Sequence, residues 1–243
     1  MMMVPVKTLI PIQDAYISQY YANQNFAFSP FLYFGQYKQL GDSYRTLLQF
    51  PLRAIPKHRR IELAQLQFTV YRNEFPTGTL TYSSLKRPLE PWDAGCVTWN
   101  DQPRSKLVYT FLSSWADTPG TVIYNDITFL VRSWLDGSKP NYGLLLEGDE
   151  SANALLGLFS SDRHHPGFFH PGPDFKHHDS FGLEPVRYHH KPLKKRGGVK
   201  RHDHKHIHKH DHKHDHKHHR YPPWGKYHIP PWYTGPKLII NYC

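Results

Sequence analysis

Cysteine is almost missing from this sequence of 243 residues, which has only Cys96 and Cys243. Two thiols cannot make the framework of a disulfide-stapled fold, and neither belongs to a Cys-x-x-Cys pair of the kind that holds structural zinc. No apolar run approaches the roughly 20 residues of a membrane-spanning helix, so no membrane insertion of that kind is expected. The first residues, Met1 to Lys7, lack the basic stretch, apolar run and small-residue cleavage site of an export signal. No phosphate loop, nucleophile motif or Ser/His/Asp arrangement occurs. The closest group of carboxylates, Glu147, Asp149 and Glu150, reads as a solvated loop or a weak calcium site rather than a general acid/base pair. The expectation is a protein that is not an enzyme.

An even spread of charge is also missing. Residues 1–161 carry 14 Lys and Arg against 13 Asp and Glu, whereas residues 162–243 carry 16 against 7. The net charge of +10 therefore belongs to a segment and not to the whole chain. Charge of that kind gives only salt-sensitive, non-specific attachment to nucleic acid, so no specific nucleic-acid partner is expected.

Between Val4 and Phe159 short runs rich in Val, Ile, Leu, Tyr and Phe alternate with Gly, Pro, Asn and Asp clusters, the pattern of an all-β sandwich. Strands are expected near residues 6–10, 15–19, 31–34, 43–50, 60–71, 96–99, 108–112, 142–148 and 154–160. One stretch follows a helical period instead. Ile127, Leu130, Val131, Trp134 and Leu135 fall on one helix face, with Asp126 placed to start it and Gly137 to end it. After Ser160 the composition shifts to His, Pro, Gly, Lys and Asp, from which no packed core can be built. The β-prone run Lys237 to Tyr242 then returns. The expected organisation is a β-sandwich domain over residues 1–161, a His-rich low-complexity insertion over 162–235, and the final strand of the sandwich over 236–243.

Several landmarks carry a family resemblance. They are Asp14-Ala15-Tyr16-Ile17, Leu32-Tyr33-Phe34-Gly35, Arg45 to Phe50, Trp92, Val97-Thr98-Trp99-Asn100-Asp101-Gln102-Pro103, Asp126-Ile127-Thr128, Asn141 to Leu146 and Pro236 to Ile240. Their order resembles the DNRLRE family of bacterial surface proteins, related to a carbohydrate-binding-module-like jelly roll. That resemblance implies a jelly-roll-like β-sandwich with one short helix and a non-catalytic role at a cell, cell-wall or spore surface. This chain departs from the pattern where a short final loop has become the long insertion.

The insertion has its own chemistry. Residues 202–217 read as four tetrapeptides of the form His-x-His-Lys. His202, His204, His206, His208, His210, His212, His214, His216 and His218 thus occupy every even position, and His219 follows. In an extended chain these imidazoles share one face at about 7 Å spacing. Neutral imidazole is a ligand for Zn, Ni and Cu, and it gains charge as pH falls through about 6.5. Two Pro-Pro-Trp elements follow. Trp224, Trp232 and Tyr233 within them, together with Cys243, are candidates for contacts between subunits.

The leading expectation is a self-assembling homo-oligomer or homopolymer of a bacterial surface layer, spore coat, exosporium or extracellular fibre. Carbohydrate binding to a cell-surface polysaccharide is the second reading, with Trp92 and Trp99 as the conceivable sugar platform. Metal buffering by the His repeat is the third.

Overall fold

Alternation decides the architecture: apolar side chains at every second position bury one face of each strand. The computed structural model describes residues 5–56, 59–161 and 234–243. Within them lie strands β1 (Val6–Leu9), β2 (Gln13–Ser18), β3 (Phe26–Ala27), β4 (Phe31–Gln36), β5 (Ser43–Gln49), β6 (Ile61–Asn73), β7 (Leu80–Pro88), β8 (Ser105–Ser114) and β9 (Val122–Asp126). Helix α1 (Thr128–Leu135) follows, then β10 (Leu144–Glu147), β11 (Leu156–Phe159) and β12 (Lys237–Tyr242). The strands pair antiparallel in one curled sheet of order β1-β12-β6-β11-β4-β5-β10-β7-β8, with β2 and β3 beside β5 and β9 beside β6. Curling folds this sheet into the two facing halves of a jelly-roll-like sandwich, as the sequence pattern implies.

Ala64, Leu66, Phe68 and Val70 of β6 point inward and meet Tyr44 and Leu48 of β5, Leu85 of β7, and Leu144 and Leu146 of β10. The Phe68 ring lies 6.3 Å from that of Phe111 on β8 and 6.4 Å from Phe34 on β4, tying the halves together. Each such buried side chain stabilises the fold by about 1.5–3 kcal/mol. Helix α1 closes one end. Asp126 accepts the Thr128 N–H at 2.8 Å, Leu130, Val131 and Trp134 are buried, and Gly137 stops the helix with a φ of 76°. Trp134 is thus a core residue.

The run expected to form the last strand does so, with β12 lying between β1 and β6. The chain leaves β11 and re-enters before β12 at one place, because Gly235 packs directly on the Ser160 carbonyl.

Two parts of the sequence reading are corrected. The run Cys96 to Trp99 is not a strand: Asp93 bends it by accepting the N–H groups of Cys96 and Val97, and Asp101 accepts the Thr98 N–H. Strands β3, β7 and β9 were not expected. In β7 the alternation is masked because an inward position is filled by Ser83, whose hydroxyl pairs with that of Ser113 at 2.7 Å, and a bulge follows Leu85. In β9, Val122 and Tyr124 face solvent, so apolar residues sit on the side where polar ones are expected.

Candidate functional site

The outward faces of the two halves are finished differently. On the half containing β2, β5 and β10, the segment 89–104 forms a roof. Trp92, Ala94, Val97 and Trp99 pack on Ala15, Ile17, Leu47 and Leu145. The roof is pinned by polar contacts. Asn25 donates to the carbonyls of Ala94 and Val97, both at 2.7 Å, and Trp92 Nε1 donates to the Tyr142 carbonyl at 2.8 Å. The Asn141-Tyr142-Gly143 landmark serves this same corner. Gly143 has a φ of 84° and passes so close to Leu48 that a Cβ would stand 2.1 Å from its carbonyl oxygen.

Arg45 explains the acidic loop. Its guanidinium lies 4.6 Å from the Trp99 ring, while Nε is 2.7 Å from Glu150 Oε1 and 2.9 Å from Glu147 Oε2. Lys86 takes the other oxygen of Glu147. Asp149 accepts hydrogen bonds from Ser151 and Thr81, and those from Ser151 above all hold its carboxyl below the usual range. These carboxylates are engaged in ion pairs and turn capping. Trp92 and Trp99 are likewise half-buried parts of the roof, with one ring face of each turned to protein.

The other outward face has no such roof among the described residues. Here β9, β6 and β12 lie side by side, and register brings Tyr124, Gln67 and Lys237 into one row and Asp126, Gln65 and Ile239 into the next. Beside the first row is a cleft of about 330 Å³. Gln67 and Thr69 form its floor, with Phe68 between them turned into the core. Gly120, Val122 and Tyr124 form one wall, and Thr234 and Gly235 the other. Tyr124 is 56% exposed and Thr69 only 6%, so the cleft is lined by an accessible aromatic residue and a recessed hydroxyl. Among the described residues, the polar side chains lining the cleft carry one amide and three hydroxyls, and none is charged.

The wall at Thr234–Gly235 has a buried support. Asp14, 2% exposed on β2, accepts the Ser160 hydroxyl at 2.8 Å and the Ser161 N–H at 2.9 Å. Burial raises its carboxyl above the usual range, against those hydrogen bonds.

An apolar ring beside convergent amide and hydroxyl groups is the equipment for holding a sugar: the ring meets C–H surface and the polar groups meet hydroxyls. A family model described as carbohydrate-binding module family 96 matches residues 5–166. The chain belongs to that family. No curated protein matches it. Membership supports a carbohydrate-binding, jelly-roll-like domain and a module that binds rather than catalyses. It favours the second sequence reading over the self-assembling subunit.

His202, His204, His206, His208, His210, His212, His214, His216, His218 and His219 lie outside the described residues, as do Trp224, Trp232 and Tyr233. Cys243 is exposed at the end of β12, 3.1 Å from Glu62 Oε1, and that hydrogen bond holds its thiol above the usual range. Among the described residues no group of three or more His, Cys, Asp or Glu could hold a metal ion, and no helix is long and apolar enough to cross a membrane. Sequence reasoning missed Tyr124, Gln67 and Thr69. The available signal was the outward set Gln65, Gln67 and Thr69 of the run 60–71 expected as a strand, but nothing in the sequence pairs it with Tyr124.

Proposed function

We propose that this module holds a cell-surface or extracellular polysaccharide in the cleft beside Tyr124, without acting on it chemically. The observation that carries the reading is the exposed Tyr124 lining one cleft with Gln67 and Thr69, on the face that the roof segment does not cover. Kinship with the DNRLRE surface proteins and a location outside the cell belong to the same reading. The test is calorimetry of the full chain with xylan, β-glucan, mannan and polygalacturonate. At least one should bind, and Tyr124→Ala should weaken it about tenfold or more. Binding that ignores Tyr124→Ala rejects the cleft.

The His repeat supports a second, separate role. Its strict alternation favours loose binding of Zn, Ni or Cu with no fixed stoichiometry. Replacing the histidines of residues 202–219 with alanine should abolish Ni uptake and leave polysaccharide affinity unchanged; retained uptake contradicts it. Assembly into a coat or fibre, through Trp224, Trp232, Tyr233 and Cys243, is the reading that the family match favours less.

A further inference from the structure

We propose that Asp14 is a positioning residue for the cleft, acting across the sandwich on the wall that faces Tyr124. This rests on the carbohydrate-binding reading of that cleft. Asp14 belongs to β2, in the half opposite the cleft, yet its two carboxylate oxygens reach the residues just after β11. One accepts the Ser160 hydroxyl at 2.8 Å and the other the Ser161 N–H at 2.9 Å. The Ser160 N–H donates to the Pro30 carbonyl at 3.0 Å, so this strand end is held at three points.

What is held there sets the wall. A Cβ on Gly235 would stand 2.6 Å from the Ser160 oxygen, 2.8 Å from its carbon and 2.9 Å from the Ser161 nitrogen. Gly235 therefore rests on the Ser160–Ser161 peptide, and its place is dictated by that peptide. Gly235 and Thr234 are in turn the wall across from Val122 and Tyr124. Contact is continuous from Asp14 through Ser160 and Ser161 to Gly235 and the cleft. A buried carboxylate is costly to keep unless its hydrogen bonds are satisfied. Here it spends both oxygens on one strand end, which fixes that end more firmly than side-chain packing alone.

The experiment measures affinity of the full chain for xylan, β-glucan, mannan and polygalacturonate, with each variant's melting curve establishing that it is folded at the assay temperature. Asp14→Leu removes both acceptors and should weaken binding about tenfold. Ser160→Ala removes one bond and should weaken it less. Asp14→Asn keeps a hydrogen bond to each partner and should bind as the wild type does. Gly235→Ala, which displaces the same wall directly, should weaken binding, and combined with Asp14→Leu it should add little, because both act through one path. Should Asp14→Leu fail to fold, Ser160→Ala and Gly235→Ala still decide the matter. Wild-type affinity in folded Asp14→Leu or Ser160→Ala, or full additivity with Gly235→Ala, overturns the role of Asp14. If Tyr124→Ala abolishes binding in that case, the cleft itself stands. Absence of binding by the wild type, or indifference to Tyr124→Ala, removes the cleft reading together with this one.

Discussion

Two residues show how the same chemistry serves opposite ends. Tyr124 spends its ring on solvent, whereas Trp99 spends its ring on Arg45 and the leucines beneath it. Asp14 is a costly choice, a carboxylate almost out of reach of water. Burial raises its pKa in the folded state above the ordinary value near 3.8. The folded protein thus holds this proton more tightly than the unfolded chain does, and stability falls as pH rises from the unfolded pKa through the folded one. Asp14→Asn keeps the hydrogen bonds without the charge, so at pH 7 it should be at least as stable as the wild type, and its stability should change less between pH 4 and 7. Urea unfolding at several pH values checks this. A variant about 2 kcal/mol or more weaker at pH 7 would mean the charge is favourable.

At the scale of elements, the roof segment 89–104 packs on one half of the sandwich, and the proposed binding face is that of β9, β6 and β12. Trp99→Ala should cost about 2–3 kcal/mol in heat or urea unfolding, somewhat below the range for a fully buried aromatic, and leave polysaccharide affinity alone. A loss of affinity at unchanged stability would return Trp99 to the role of sugar platform. Most strands were legible because alternating runs such as Ile61 to Tyr71 report burial directly, and α1 was legible through its helical period. The roof was misread because Val97-Thr98-Trp99 has strand-like residues held by hydrogen bonds to the side chains of Asn25, which donates, and Asp101, which accepts, rather than by a ladder. Of the cleft, only the outward set Gln65, Gln67 and Thr69 on β6 was legible. Its walls come from β9 and from Thr234–Gly235, distant in sequence, and only the pairing of β6 with both brings them together.

For the whole molecule, charge and fold are separable. The described sandwich draws almost all its residues from the nearly neutral part of the chain, and the basic, His-rich part leaves it beside the cleft wall, after Ser161. Polyanions will therefore adhere to the chain through charge alone, weakly and in a manner that salt removes. Binding in the cleft depends on ring contact and neutral hydrogen bonds, so it should persist as salt is raised. The most direct test titrates the full chain and its Tyr124→Ala variant with xylan, β-glucan, mannan and polygalacturonate at about 0.15 M and about 1 M salt. The prediction is that at least one polysaccharide binds at both salt concentrations and that Tyr124→Ala weakens it about tenfold or more. Binding that vanishes in high salt, or that Tyr124→Ala leaves intact, would contradict the account.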